Sequence, residues 1–296
     1  MKKIYLFLAV AFTGLLASCS MNEDYNRLPT EVGPPSVTDY SYMLQNFDLW
    51  EVDQSRTTGP VNASVPFLDR AITLSFFDRV LYANNNFSGF GVTGNGFGID
   101  VGTYTLGYNT VTIAHDVYGR YTLEIIYVYQ DEIRLYDREQ GLTYTLYGYY
   151  KNNYNYDAVF FNNIEYFLQE FKAWRKISIS GGVSNIFDNE NFLSFDTYGN
   201  IFYSSIDRAN TPVDYLQWDY QGIYTIQNTN NIKRKLLNLN YGPQGVEQFE
   251  LIYVNDYTID LYHVTSRTTY RFQGDGYIQF LRPKYKTLKT INTDKK

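Results

Sequence analysis

Short runs of alternating apolar and polar residues dominate the chain beyond residue 49 and predict β-strands. In the first half these runs lie at about 71–76, 80–84, 99–106, 110–115, 121–129, 132–137 and 142–149. Asp, Asn and Gly separate the runs, which is typical of tight turns. With one more strand after Trp50, the pattern predicts about eight strands, which is enough to close a small antiparallel barrel.

The stretch 123–148 recurs at 249–274, and this repeat indicates that one structural module is used twice. Ten of the 26 aligned positions are identical. The match is looser before this hairpin, although Gly102 and Gly222 still correspond. The second half is therefore expected to repeat the strand order of the first half with different loop lengths.

Each module opens with another repeated stretch, in which Leu44, Phe47 and Trp50 correspond to positions 168, 171 and 174. Residues three apart share one face of a helix. We therefore predict an all-β fold with two tandem small antiparallel β-barrel modules, each preceded by a short helix.

The N-terminus has the pattern of a secretory signal. Two lysines precede an apolar run at 4–16, which is too short to span a membrane comfortably. The run ends in Leu-Ala-Ser before Cys19, and this sequence resembles the bacterial lipobox, in which the cysteine is acylated and becomes the new N-terminus. Cys19 is the only cysteine. We predict a lipid anchor there.

These patterns divide the chain into five predicted parts. Residues 1–18 form the signal peptide, and 19–38 form the lipidated N-terminus and a proline-containing spacer. The first module is placed at 39–150 and the second at 151–282. Residues 283–296, which are rich in lysine, are predicted to form a basic flexible tail.

Composition narrows the class of partner. The formal net charge is −6, and loss of the two N-terminal lysines with the signal would make it more negative. Nucleic-acid binding needs clustered Lys and Arg, so we expect no nucleic acid as a partner. The 31 Tyr and 20 Phe, against three Met, suit half-buried pleated surfaces.

The helix, the Trp near the first strand and the eight-strand meander make residues 39–282 resemble the lipocalin-like domains found in lipoproteins of Bacteroidota. The glycine that this family usually has two positions before the Trp is replaced by Asp48 and Lys172. In such lipoproteins an acidic segment directly behind the anchor, like the one at 22–24, resembles a signal for export to the cell surface. The resemblance implies an outer-membrane lipoprotein, anchored through its lipid and associated with an outer-membrane protein complex.

Tandem lipoproteins of this kind are also associated with nicotinate-mononucleotide adenylyltransferase activity, which remains an alternative. That activity requires an H-x-G-H pair to hold a triphosphate, and neither His115 nor His263 lies in such a motif. It also requires alternating strands and helices, which the pattern does not predict. The residues therefore do not support it.

Gly89, Gly91 and Gly94 spell G-x-G-x-x-G, the dinucleotide-binding pattern. A dinucleotide site needs this motif between a strand and a helix, whereas a strand-like run follows here. We interpret the segment as a glycine-rich loop between strands. Such a loop could form a lip over a barrel mouth, which makes Gly91 and Gly94 candidate ligand contacts.

Other candidate chemistry is sparse. The two histidines are interpreted as solvated or structural, and no catalytic residue, metal site or cofactor is predicted. Glu124 lies in an alternating strand and is expected to face solvent and pair with a cross-strand arginine such as Arg134, the alternative being an inward, ligand-contacting carboxylate. Residues 188–191 are rich in oxygen ligands but lack the spacing of a calcium loop.

The aromatic residues at the boundary between the modules are the remaining candidates for a binding surface. Tyr149, Tyr150, Tyr154 and Tyr156 alternate with asparagines there, and tyrosine offers a large surface with a polar tip. We expect a non-enzymatic, surface-exposed lipoprotein that binds or scaffolds a cell-envelope assembly. The alternative is a carrier that holds a small apolar or glycan ligand inside the barrel.

Overall fold

The computed structural model describes residues 38–196 and 199–280. The predicted signal peptide, the lipidation site Cys19 and the predicted basic tail lie outside the described residues. The described chain forms two closed, eight-stranded antiparallel barrels in tandem, which confirms the predicted fold class. The chain from Asp39 through the second barrel groups into one compact unit.

Barrel one contains β1 (Leu49–Thr58), β2 (Thr73–Phe77), β3 (Val80–Asn84), β4 (Ile99–Gly107), β5 (Thr110–His115), β6 (Gly119–Tyr129), β7 (Glu132–Asp137) and β8 (Leu142–Tyr149). Barrel two contains β9 (Phe171–Gly181), β10 (Phe192–Phe195), β11 (Ile201–Ser205), β12 (Tyr220–Asn228), β13 (Arg234–Asn240), β14 (Val246–Asn255), β15 (Thr258–His263) and β16 (Thr268–Tyr277). Consecutive strands pair, and each barrel closes when its first strand pairs with its last.

The helices that precede the barrels differ between the two modules. A 3-10 turn at Ser41–Gln45 precedes β1, whereas two short α-helices, α1 (Tyr156–Asn162) and α2 (Ile164–Leu168), precede β9. Within the described residues, no helix has the length and apolar character that crossing a bilayer would require.

The repeated tryptophan holds each helix to its barrel. The Nε1 atom of Trp50 donates to the carbonyl oxygen of Leu44 at 2.9 Å, and that of Trp174 donates to Leu168 at 2.8 Å. A helix end leaves carbonyl groups without intrahelical partners, so each indole satisfies one of these groups. This contact explains why the same residues recur in both modules.

The barrel interiors are occupied by apolar side chains. Alternation along each strand turns every second side chain inward. In barrel one the inward residues with no exposed surface include Trp50, Leu74, Leu81, Val101, Val111, Ile113, Leu123, Ile133, Leu135, Tyr144 and Leu146. In barrel two they include Trp174, Leu193, Phe202, Leu237, Leu239, Phe249, Leu251, Ile259, Leu261, Tyr270 and Phe272.

Candidate functional site at the junction of the barrels

The loop between β3 and β4 of barrel one packs onto barrel two. Phe87 and Phe90, both buried, belong to the same hydrophobic cluster as the core of barrel two. The Phe87 ring stacks on Tyr166 of α2 with centroids 6.1 Å apart, and Phe90 meets Tyr156 of α1 edge-on at 5.3 Å. The barrels therefore share one continuous apolar interface.

Hydrogen bonds also hold the β3–β4 loop against barrel two. One carboxylate oxygen of Glu170 accepts a hydrogen bond from the backbone N–H of Phe87, and the other accepts from Ser88 at 2.8 Å. The side chain of Asn86 donates to the carbonyl of Ile278 at 2.9 Å and accepts from the N–H of Phe280 at 3.1 Å. These bonds tie the loop of barrel one to both ends of the barrel-two chain.

Glu170 is the most unusual carboxylate at this interface. Its side chain is 3% exposed, and this burial raises its pKa to about 7, although the two backbone N–H donors lower it in part. A buried charge without a cation costs free energy. The negative charge of Asp256 nearby raises the pKa further.

A cleft of about 710 Å³ opens beside this interface, and we refer to it as the junction cleft. Its volume is within the ~300–1,000 Å³ that small-ligand sites occupy. Both barrels contribute to its wall, which combines carboxylates, amides, one guanidinium and aromatic rings. It is lined by Glu51, Val52, Asp53, Gln54, Ser55, Asp69, Arg70, Ala71, Ile72, Asn85, Phe87, Val159, Asn163, Tyr166, Gln169, Glu170 and Phe280.

Negative groups predominate in the junction cleft. Glu51, Asp53, Asp69 and Glu170 provide four carboxylates, whereas Arg70 provides one guanidinium. The Arg70 guanidinium lies over a neighbouring aromatic ring, with its central carbon 4.4 Å from the ring centroid. The cleft is thus suited to a positively charged occupant.

Glu51 points out of barrel one toward barrel two. Its neighbours Trp50 and Val52 face the interior, so strand alternation puts Glu51 on the outer wall. Burial raises its pKa, and the negative charge of Asp53 raises it further. This carboxylate is therefore partly desolvated beside the cleft.

Three consecutive asparagines occupy the end of β3 and the two positions after it, and the middle one differs from its neighbours. Asn84 donates to Thr73 at 2.8 Å, and Asn86 makes the two bonds described above. Asn85 is 7% exposed, and neither its amide nitrogen nor its amide oxygen has a hydrogen-bond partner among the described residues. A buried amide without partners is unusual in a folded protein.

The boundary tyrosines are distributed unevenly. Tyr154 is buried in the interface, Tyr149 and Tyr156 are half-buried against it, and Tyr150 is 50% exposed. Burial, followed by the charge of Glu51, raises the pKa of Tyr154. Three of the four candidates therefore contribute to the contact between the barrels. Their predicted role as partner contacts stays a prediction.

The glycine-rich segment is a loop between β3 and β4. Gly91 lies so close to Tyr156 that a Cβ atom there would come within 2.3 Å of the ring, whereas Gly94 is exposed with φ of +61°. The structure thus brings Gly91 together with the tyrosines of the junction and leaves Gly94 apart. Tyr156 also lines a second cleft, of about 480 Å³, between this loop and barrel two.

Glu124 pairs with a different arginine from the one suggested, whereas His115 has a structural role, which is one of the two roles expected for it. Glu124 is on the outer face, as predicted, but it pairs with Arg138 at 2.7 Å rather than with Arg134. Arg134, the arginine suggested for this pairing, lies opposite Ile126 in the ladder and pairs with Glu132 instead. His115 is buried, and its Nδ1 accepts from the backbone N–H of Val117, so it organises the turn after β5.

His263, the last residue of β15, links β14 to the turn between β15 and β16. Its Nε2 lies 2.7 Å from Glu247, and its Nδ1 lies 2.7 Å from Ser266. The Ser266 hydroxyl donates to Thr268 at 2.9 Å. In serine hydrolases the nucleophile bonds to Nε2 and the carboxylate to Nδ1. Here the carboxylate is on Nε2 and the hydroxyl is on Nδ1, and the Ser266 hydroxyl already donates to Thr268. Ser266 therefore fits a structural role better than that of a nucleophile.

The same end of barrel two holds buried charged groups. Glu190 accepts from Ser204 and, at 2.7 Å, from Tyr241, while the Lys176 ammonium donates to the carbonyl of Asp188 at 2.7 Å. Burial raises the pKa of Glu190 and lowers that of Lys176 to about 8. Each of these two buried charged groups therefore has its own hydrogen-bond partners.

Across the residues that the structure describes, no group of three or more His, Cys, Asp or Glu side chains is arranged to hold a metal ion. Comparison of the chain with protein-family models and with curated proteins finds no match.

The sequence analysis missed Glu51, Asn85 and Glu170. Each looks ordinary in its local pattern, and they meet only because the two barrels pack together. One signal was present: in the register set by the two tryptophans, Glu51 corresponds to Arg175 in the second module. A charge reversal between otherwise repeated strands marks a position where the two copies have different surroundings.

Proposed function

We propose that this protein is a non-enzymatic, lipid-anchored binding protein of the outer membrane, exposed at the cell surface, which scaffolds an envelope assembly through the junction of its two barrels. Its anchor is the predicted lipid on Cys19, behind a leader that resembles bacterial lipoprotein signals. The resemblance to lipocalin-like lipoproteins of Bacteroidota supports the same placement.

The observation that carries the proposal is that the open cavity lies between the barrels and not inside them. The barrel interiors are packed with side chains that have no exposed surface, whereas the junction cleft is open and has polar walls. An eight-stranded barrel can either be filled by side chains or hold a small ligand. The filled interiors favour binding on the outside, and a carrier role would require them to open.

The arrangement of the junction supports a binding role further. Phe87 and Phe90 fix the two barrels against each other, so the walls of the cleft are held by packed elements rather than by a hinge. Preorganised walls reduce the entropy that binding costs.

A pull-down from the native membrane tests the proposal. Tagged full-length protein, solubilised in mild detergent, is expected to retain a stoichiometric protein partner. The variant Glu51→Gln, in the cleft, is expected to retain much less of this partner. Glu124→Gln is the matched control, because Glu124 is also an outward-facing strand glutamate of barrel one but lies outside the cleft. Absence of any partner, or equal retention by both variants, would contradict the proposed site.

The anchor is tested separately. In cells that express Cys19→Ala, the protein is expected to move from the membrane fraction to the soluble fraction, with an unchanged thermal unfolding curve. Cys19→Ala that stays firmly in the membrane fraction would contradict the lipid anchor.

A further inference from the structure

We propose that the junction cleft binds an extended basic peptide segment, in which a Lys or Arg side chain pairs with Glu51 and a peptide group pairs with the amide of Asn85. This inference rests on the proposed function, since it names the chemistry of the partner at the same site.

Charge is the first argument. Four carboxylates and one guanidinium line the cleft, and the guanidinium of Arg70 is already placed over the ring of Phe280. Glu51 and Glu170 are partly or wholly removed from water, and neither pairs with a cation among the ion pairs of the described residues. A cationic side chain would offset the cost of desolvating Glu51 through a charge-assisted hydrogen bond.

Asn85 is the second and independent argument. An asparagine amide offers one acceptor and two donors. These atoms are buried and unpartnered, while the adjacent Asn84 and Asn86 are both hydrogen-bonded. A peptide group presents one N–H and one C=O, which is the complement of a side-chain amide. A peptide therefore satisfies Asn85, whereas a simple amine can use only its oxygen.

Aromatic surface is the third argument. Tyr166 is half-exposed and Phe280 is partly exposed where they line the cleft. Aromatic faces attract ammonium and guanidinium groups, and they also provide apolar contact for the methylene stems of Lys and Arg.

The equivalent surface of barrel two lacks these features. The residue that corresponds to Glu51 is Arg175, which pairs with Asp275, and the residue that follows β11, as Asn85 follows β3, is Ile206. The combination of a carboxylate and an unpartnered amide is therefore specific to the wall of barrel one that faces barrel two.

Fluorescence anisotropy with labelled short peptides tests the inference on the full chain. A peptide of alternating Lys and Ala is expected to bind, and peptides with Glu or Ser in place of Lys are expected to bind at least roughly tenfold more weakly. Added salt should weaken the binding of the Lys peptide, because Glu51 is only partly shielded from solvent. Equal binding of the Ser peptide, or of a neutral oligosaccharide, would overturn the basic-peptide assignment.

Two variants locate the contact. Glu51→Gln is expected to weaken binding of the Lys peptide roughly tenfold, because a charge-assisted hydrogen bond becomes neutral. Asn85→Leu removes the amide at similar volume. It is expected to weaken binding about three- to tenfold, while folding stability stays equal or rises because a buried unpartnered amide is lost. Glu124→Gln should leave binding unchanged.

The remaining outcomes distinguish failure of the basic-peptide inference from failure of the proposed function. Unchanged binding in both cleft variants would overturn the inference. A native partner that depends on Glu51, together with no preference for basic peptides, would overturn the peptide assignment and leave the proposed function standing. If neither a Glu51-dependent native partner nor a preference for basic peptides is found, both the proposed function and the peptide assignment are overturned.

Discussion

In each barrel a glycine of the last strand lies in close contact with a phenylalanine ring near the start of the first strand. A Cβ atom on Gly148 would come within 2.3 Å of the Phe47 ring, and one on Gly274 would come within 2.4 Å of Phe171. Both glycines lie opposite the repeated tryptophans in the strand ladder. In both barrels, therefore, a phenylalanine ring just before or at the start of the first strand lies in close contact with the backbone of the last strand.

We expect Gly148→Ala to destabilise the protein by about 1–3 kcal/mol, because the added methyl group overlaps a packed ring. In the background Phe47→Leu the same substitution should cost much less. A double-mutant cycle from guanidinium unfolding measures this coupling. Additive effects would show that the glycine is required for another reason.

Glu170 predicts the pH dependence of the junction. Its pKa of about 7 in the folded protein exceeds the ordinary value of 4.5, so the folded state binds a proton more tightly than the unfolded state. Its contribution to stability is therefore fully present below about pH 4.5 and is lost as pH rises through about 7. The loss is at most about 3 kcal/mol.

The variant Glu170→Gln keeps a carbonyl acceptor but cannot ionise. Chemical unfolding between pH 5 and pH 8 is expected to show a smaller fall in stability for this variant than for the wild type. Glu124→Gln, on the outer wall, should keep the wild-type slope. An identical slope in Glu170→Gln would mean that the carboxyl group does not titrate in this range.

At the scale of elements, the tryptophan that follows each helix fixes how the helix meets its barrel. Trp50→Phe and Trp174→Phe each leave a helix-terminal carbonyl without its indole donor. We expect each to lose about 1–3 kcal/mol. Trp218→Phe is the control, because Trp218 is exposed and its ring lies at a tilted angle beside the ring of Tyr203. Unfolding curves that rank Trp218→Phe with the other two would contradict this account.

The strands were predictable because their information is local. Alternation and turn residues marked the eight strands of barrel one, and the repeat then carried that order into the second half. The helices were less predictable. The expectation that the repeated Leu, Phe and Trp share one helix face is wrong, because only the leucines lie in helices, whereas Trp50 is in β1 and both Phe171 and Trp174 are in β9. The preceding helix is a five-residue 3-10 turn in one module and two short α-helices in the other. The helices of the second module pack between the core of barrel two and the β3–β4 loop of barrel one, a tertiary environment that the local pattern does not contain.

The junction cleft was not predictable from local pattern. Phe87 and Glu170 are 83 residues apart in sequence, and their hydrogen bond exists only when the barrels are docked. The Tyr cluster lies at the junction of the barrels, where buried interfaces are often rich in aromatics, but none of its four members lines the junction cleft. What the pattern could not distinguish is whether these rings face a partner or the second barrel.

At the scale of the whole molecule, the two barrels are expected to unfold together. Phe87 and Phe90 of barrel one lie within the hydrophobic cluster of barrel two, so separating the barrels would expose both rings to water. Calorimetry of the wild type should therefore give one transition, with a calorimetric enthalpy close to the van't Hoff enthalpy.

Phe90→Ala is expected to weaken this coupling as well as stability. Loss of a buried phenylalanine costs about 3–5 kcal/mol, and here that loss falls on the contact between barrels, so the calorimetric enthalpy should exceed the van't Hoff enthalpy. Phe76→Ala is the matched control, because Phe76 is equally buried but packs on Tyr104 inside barrel one. This variant should lower the melting temperature. Its calorimetric and van't Hoff enthalpies should remain equal, because the contact between the barrels is intact and the two barrels still unfold together. A single, equally cooperative transition in Phe90→Ala would mean that the polar contacts of Glu170 and Asn86 suffice to hold the two barrels as one unit.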